Sequence, residues 1–357
     1  MDFKKKYTYA MVAPSSMGVR LTPIDRKNVH NSDLLTMHAS SAETNVLSIS
    51  SSLGLPVKVL TTFVLDSPIA RFIKNDLMKR HILYQGKEVI QEGPWGYRHQ
   101  INIADSGYGL RGPRVLNDRA GEVGQTLNVK DFDLDHLFGV EGVQILHLSG
   151  LIASLSKETS MLCIALAKTA KKYGTKVSFD INYRESFWKN REEELSVVFK
   201  EIAQLTDILI GNEEDFQLAL GINGPEIGGK HINDDIKSYQ HLHKVVKNTF
   251  PNVILCTTTL REVITANEHL WGAILSQNEE FITTEPKLIP VRDRIGGGDG
   301  FVGGLLYGLL KGWNLEKCTH FAWATGALAV SVEEDYALPL DEEEVWSIWN
   351  GNARVKR

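Results

Sequence analysis

The sequence is short of several things, and each shortage closes off a class of function. Only three cysteines occur, Cys163, Cys256 and Cys318, far apart, with no C-x-x-C pair and no histidine at metal-ligand spacing. That excludes a disulfide framework or a zinc ribbon and is expected of a chain kept in a reducing, cytoplasmic compartment. No apolar run approaches the roughly 18 residues that span a bilayer. The start, MDFKKKYTYAMVAP, has a basic trio but too short an apolar stretch after it for a signal peptide, so Lys4 to Lys6 read as a solvated terminus. Positive charge is scarce as well: 39 Lys and Arg stand against 44 Asp and Glu, a formal charge of −5. A general nucleic-acid or acidic-membrane surface is therefore not expected, and an anionic substrate has to be met by a local group of arginines. No internal repeat and no low-complexity segment is found.

What is present is the composition of an ordinary globular protein, 357 residues at 43% hydrophobic and 23% charged. That length holds one large α/β domain with an accessory element, or two ordinary domains. Short β-branched runs, YTYAMVA, VKVLTTFV, VQILHLSG, KVSFDIN, DILIGN and NVILCTTT, alternate with helical patterns. KETSMLCIALAKTAKKYG, for example, opens after Ser156 and closes on Gly174. Strands apolar on both faces and separated by helices predict a parallel sheet covered on both sides. Residues 17–37 and 93–130 break that rhythm. They are alternating, Gly-rich and Arg-rich, and predict short antiparallel strands in one small sheet, a lid over the carboxyl ends of the parallel strands. The division expected is a core of 1–16, 38–92 and 131–357 and a lid of 17–37 and 93–130.

Glycine is plentiful in one place, DRIGGGDGFVGGLLYGLL from Asp293 to Leu310, although glycine costs roughly 0.5–1 kcal/mol inside a helix. Gly298, Gly300 and Gly303 satisfy G-x-G-x-x-G, but a second helical pattern follows, so a dinucleotide site is not expected. GPEIGGKH, Gly224 to His231, nearly matches a phosphate loop but lacks its Ser/Thr and follows a helical pattern; it reads as a surface loop. The histidines, including the HLHK pair, lack ligand spacing and read as ordinary. A helix starting near Asp299 would aim the amides of Gly297, Gly298 and Asp299 at an anion. The alternative is that Asp299 merely caps that helix.

D-R-I-G-G-G-D-G resembles the G-A-G-D signature of the ribokinase-like (PfkB) sugar kinases, in the form used by their 2-keto-3-deoxygluconate kinase branch. LHLSGLIASLS, VSFDINYRESFW, DILIGNEEDF, TTTLRE and EEDYALPL fall in the family's order and extend the resemblance over most of the chain from about residue 100. It implies a three-layer αβα core with a mainly parallel sheet and a small β-sheet lid. It also implies phosphoryl transfer from ATP to a sugar hydroxyl, with Asp299 as base and Gly296, Gly297, Gly298 and Asp299 as the anion hole. Substrate contacts carried over are Ser40, Ser41, Asn45, Asn117, Arg119, Asn182, Arg184 and Asp335. Arg184 would hold a carboxylate through two parallel hydrogen bonds. Nucleotide contacts are Asn212, Thr258, Arg261, Asp293, Gly298 and Gly326, with Asn212 and Asp215 orienting Mg2+ through water. A monovalent cation near Asp293 is left open, and a homodimer or larger assembly with engaged lids is implied. The sequence departs from the family at Ser15-Ser16 for Gly-Glu, at Ser40-Ser41 for Gly-Gly, at Asn117 for Tyr and at Asp215 for Glu. The sugar pocket is thus more altered than the catalytic turn. A kinase of a neutral sugar such as fructose, or a ligand-sensing relative without turnover, remains the alternative to a sugar-acid kinase.

Overall fold

The computed structural model describes residues 1–228 and 236–354; the end of the Gly224–His231 segment lies outside them. The strands, in chain order, are β1 (Tyr9–Pro14), β2 (Gly18–Pro23), β3 (Leu35–Ser40), β4 (Val57–Val64), β5 (Leu83–Val89), β6 (Gln100–Ala104), β7 (Val115–Asp118), β8 (Val143–Ser149), β9 (Lys176–Asp180), β10 (Ile208–Ile210), β11 (Leu255–Thr265), β12 (Glu268–Gln277) and β13 (Glu280–Pro290). The helices are α1 (Ala42–Ser52), α2 (Pro68–Lys79), α3 (Gly150–Ala153), α4 (Lys157–Lys172), α5 (Glu185–Trp188), α6 (Glu192–Ala203), α7 (Ile236–Thr249), α8 (Gly297–Leu310), α9 (Leu315–Ala329) and α10 (Glu342–Trp349).

Nine strands form one sheet in the order β13-β12-β11-β10-β9-β8-β1-β4-β5. From β5 to β11 every neighbour pair is parallel, and β12 and β13 add antiparallel strands at one edge. Alternate residues serve opposite faces. Met11 and Ala13 of β1 join a core with α1, α2, α8 and α9, while Val12 joins another with α4, α6 and α7. The result is three layers, helices on each side of a sheet buried on both faces. The helix expected after Ser156 is α4, with Ser156 accepting from the Thr159 amide as cap and Gly174 in the left-handed region behind it.

The second sheet has the order β3-β2-β6-β7. Its hairpins β2-β3 and β6-β7 are antiparallel, as the alternating sequence predicts, but β2 and β6 pair in parallel. Both of those strands carry the chain outward from the large sheet, so two hairpins laid side by side must meet in that sense. Register makes this sheet two-faced. His38, Arg20, Asn102 and Asn117 lie in one cross-strand row, and Met37, Leu21, Ile103 and Leu116 in the next, which points the other way. Arg20 reaches residues of the large unit, so the polar row is the one that faces it. Among the described residues no helix is long and apolar enough to cross a membrane.

Candidate active site

The carboxyl ends of β1, β8, β9 and β10 and the start of α8 deliver the polar residues to one place. Gly296 takes φ 83°, and an added Cβ would stand 1.9 Å from the Asp335 carbonyl, so only glycine suits this turn. Helix α8 begins at Gly297, two residues earlier than expected, which makes Asp299 its third residue. Asp299 makes no capping bond; its Oδ2 accepts from Asn45 Nδ2 at 2.8 Å. The capping alternative is thereby removed. The amides of Gly296 to Asp299 are those a helix leaves without intrahelical partners. Gly298 is exposed, and a Cβ there would meet nothing, so the surface above the turn is open.

Burial pushes the Asp299 carboxyl up to about 7 despite the Asn45 bond, with the negative charge of Glu43 and Asp335 adding and Arg184 opposing. Asp180, the last residue of β9, is raised well above the ordinary carboxylate range by burial and by Asp215 and Asp299. Asp215 is raised to about 6, chiefly by burial. Asn182 takes the left-handed conformation just past β9 and its backbone bonds Asp180. Two residues on, Arg184 is exposed and donates one bond, to the Tyr183 carbonyl at 2.6 Å. Its charge is felt by Asp180, Asp215 and Asp299 on one side and by Arg261 and Arg294 on the other. Arg261 is pushed down to about 10 by burial and the nearby Arg294. Arg294 is lowered by burial and by Arg184, with Asp293 opposing. Among the described residues neither the Arg261 nor the Arg294 side chain makes a hydrogen bond or ion pair, and only the more distant charges of Glu213 and Asp293 offset them.

Several expected contacts are spent elsewhere. The Ser41 hydroxyl caps α1, accepting from Thr44, and bonds Glu43; the Ser40 hydroxyl donates to Asp335 Oδ2 at 2.8 Å. Ser41 thus starts helix α1, while Ser40, the last residue of β3, ties that strand to Asp335. Asp335 and Asp293, expected at sugar and nucleotide, are buried and share the guanidinium of Arg20. Arg119 is held by both oxygens of the buried Glu122, which requires a counter-charge, and lies 4.7 Å over the Phe187 ring. The Thr258 hydroxyl turns inward to the Gly211 carbonyl and His243, since this part of β11 is buried. At Gly326 a Cβ would meet the Trp271 ring at 2.7 Å, so its smallness admits the tryptophan. Asp215 accepts from the Tyr183 and Asn212 amides, and Asn212 Oδ1 accepts from Asp215, a closed box that shapes the loop.

Asn45 bonds Asp299 of the glycine turn, the charge of Arg184 reaches both Asp299 and Arg261, and Asn117 lies exposed on the polar row of the small sheet. Sequence reasoning missed Glu43, Asp180, Arg294, Gln100 and Asn102. Glu43 Oε1, Asn45 Oδ1, Gln100 Oε1 and Asn102 Oδ1 are buried acceptors without a partner, which native proteins rarely leave unmet. Asp180 and Arg294 stood inside motifs already singled out, D-I-N-Y-R and D-R-I-G, and could have been found there; Gln100 and Asn102 carried no signal.

Residues 121–342 match the family described as pfkB family carbohydrate kinase. The chain belongs to the pfkB family of carbohydrate kinases. Among curated relatives it is similar to a 5-dehydro-2-deoxygluconokinase of Clostridium perfringens, 26% identical over 61% of this chain; the match spans 57% of that protein's length. It is also similar to a 2-dehydro-3-deoxygalactonokinase of Haloferax volcanii, 25% identical over 95% of this chain and 96% of the relative. Among solved structures, the 2-dehydro-3-deoxygluconokinase of Thermotoga maritima superposes with a TM-score of 0.85 at 27% identity, covering 96% of this chain and 100% of that one. The ribokinase-like fold expected from the family's motifs is the fold observed.

Proposed function

We propose that this pfkB-family protein is an ATP- and magnesium-dependent kinase of a keto-deoxy sugar acid, with 2-keto-3-deoxygluconate, phosphorylated at its terminal hydroxyl to the 6-phosphate, as the assigned substrate. The observation that carries the reading is Asp299, free of any capping role, raised to about 7 and one residue from the open amide face at Gly298. A carboxylate with that affinity takes the proton of the sugar hydroxyl as its oxygen bonds the γ-phosphorus and the bond to the ADP oxygen breaks. Asn45 holds the carboxylate in line. The amides of Gly296 to Asp299 take the charge that develops on the transferring group. Arg261 and Arg294 meet the phosphates, whose negative charge relieves their mutual repulsion.

The crowded carboxyls Asp180 and Asp215, both held above their ordinary range, fit a divalent cation nearby, with Asn212 beside them. An ion shared with phosphates and water needs no cage of protein ligands. Magnesium, when bound, would neutralise phosphate charge.

The orphaned acceptors on Glu43, Asn45, Gln100 and Asn102 suit the hydroxyl donors of a sugar, with Asn117 and Asn182 beside them. Arg184 keeps most of its donors free for a carboxylate, and the relatives named above are, by name, kinases of keto-deoxy sugar acids. The small sheet of β2, β3, β6 and β7 acts as a lid that shields the transfer from water. Three free, buried cysteines accord with a cytoplasmic enzyme. The outward apolar row, with Met37 and Leu116 exposed and Leu21 and Ile103 half-buried, favours a homodimer built through the lids.

The test is ADP release over a panel of sugar acids and neutral sugars, with Arg184→Ala alongside. Acids should be preferred, and the variant should raise KM for them about 10- to 100-fold, as expected for a charged hydrogen bond. Equal rates on neutral ketoses would replace the sugar-acid reading with a fructokinase-like one. Binding without product would indicate a ligand sensor.

A further inference from the structure

The family resemblance leaves room for a monovalent cation beside Asp293, and the residues there do not accommodate one. Arg20 leaves β2 of the small sheet and is fully buried, Nη2 on Asp293 Oδ2 and Nη1 on Asp335 Oδ1. Every oxygen of both carboxylates accepts at least one hydrogen bond. Ser106 Oγ donates to Asp293 Oδ2 at 2.7 Å, the Ile295 amide to Asp293 Oδ1 at 3.0 Å, and Ser40 Oγ to Asp335 Oδ2 at 2.8 Å. A small cation would need these same oxygens and would be repelled by the guanidinium. The cluster touches the catalytic turn directly. Asp293 lies three residues before Gly296, and the Asp335 carbonyl packs against Gly296 so closely that no Cβ fits.

We propose that the Arg20 guanidinium is the resident cation of the catalytic turn, fixing Asp293 and Asp335 on either side of Gly296, and that the protein takes no monovalent metal ion there. A fixed charge contributed by β2 ties the turn to the small sheet, which a diffusible ion would not do. Removing one partner of so buried a group leaves two carboxylates uncompensated. A cavity of about 730 Å³ lined in part by Thr22, Ser106 and Arg292 abuts the cluster, so a small ion can reach the space that a truncated side chain would leave. Arg20 is a positioning residue in this account; it touches the turn's supports and not the reacting atoms.

The proposal rests on the kinase reading only for its kinetic arm, so two readouts are taken on the full chain. The first is thermal unfolding in KCl against choline chloride, each at about 0.1 M so that screening is equal. The wild type should melt alike in both salts. Arg20→Ala should gain a potassium-specific rise of about 2 °C or more, as a ligand bound only by the folded state produces. Arg20→Met, which keeps the packing of the stem, carries the same expectation should the alanine variant fail to fold. The second readout is turnover. The wild type should be indifferent to potassium, and the variants should lose about 10²-fold, the size of a disturbed oxyanion hole, and recover part of it when potassium is added. Potassium-specific stabilisation or activation of the wild type overturns the proposal, as does a variant that is fully active without potassium. If no sugar is phosphorylated by any form, the kinase reading fails while the melting comparison still decides the cation.

Discussion

The proton affinity of Asp299 is set by its surroundings, burial first, then the Asn45 bond and the charges of Glu43 and Asp335. With the carboxyl raised to about 7, turnover should climb as pH rises to that point and level off above it, because the base must be ionised; a pH profile of kcat checks this. The stability consequence has the opposite sense. A carboxyl that keeps its proton to higher pH when folded adds stability at low pH, and that stability is lost as pH rises through about 7. Asp299→Asn should therefore melt above the wild type in alkaline buffer, as read by calorimetry, while losing activity. The arginine pair makes a similar trade. Arg294→Gln should relieve the repulsion that lowers Arg261 and raise the melting temperature of the ligand-free protein, yet weaken ATP binding about 10- to 100-fold by titration calorimetry. These couplings were beyond sequence reading. Arg20 meets two carboxylates that lie 273 and 315 positions further along the chain, and no spacing rule joins residues so far apart.

Among the elements, the start of α8 separates structure from chemistry. Gly296→Ala should damage both, because the left-handed turn and the Asp335 carbonyl leave no room for a Cβ; a stability loss of about 1–3 kcal/mol is expected. Gly298→Ala should melt like the wild type, since its Cβ would meet nothing, and still lose turnover because a methyl group would stand where the phosphoryl group approaches. Comparing the two by melting and by kinetics tests the anion-hole reading. The buried strands β1, β4 and β8 to β11 were legible as apolar runs bounded by turns. Strand β5 was not, because it is an exposed edge spelled LYQGKEV, and the parallel pairing of β2 with β6 depends on where each hairpin leaves the large sheet. The Ser40 hydroxyl bonds Asp335 and that of Ser41 caps α1, partners that the aligned motif alone does not reveal.

For the whole molecule, the small sheet presents a polar row to the large unit and an apolar one away from it, as its registers dictate. Light scattering should find a dimer, and Leu116→Lys in that apolar row should shift it to monomer. The central claim is that the site at the start of α8 transfers phosphate with Asp299 as base. Its most direct test is magnesium- and ATP-dependent phosphorylation of 2-keto-3-deoxygluconate by the wild type and by Asp299→Asn, with product identified by mass spectrometry. The account predicts a sugar-acid phosphate from the wild type and a loss of at least about 10²-fold in the variant. Near-normal turnover by Asp299→Asn would contradict it.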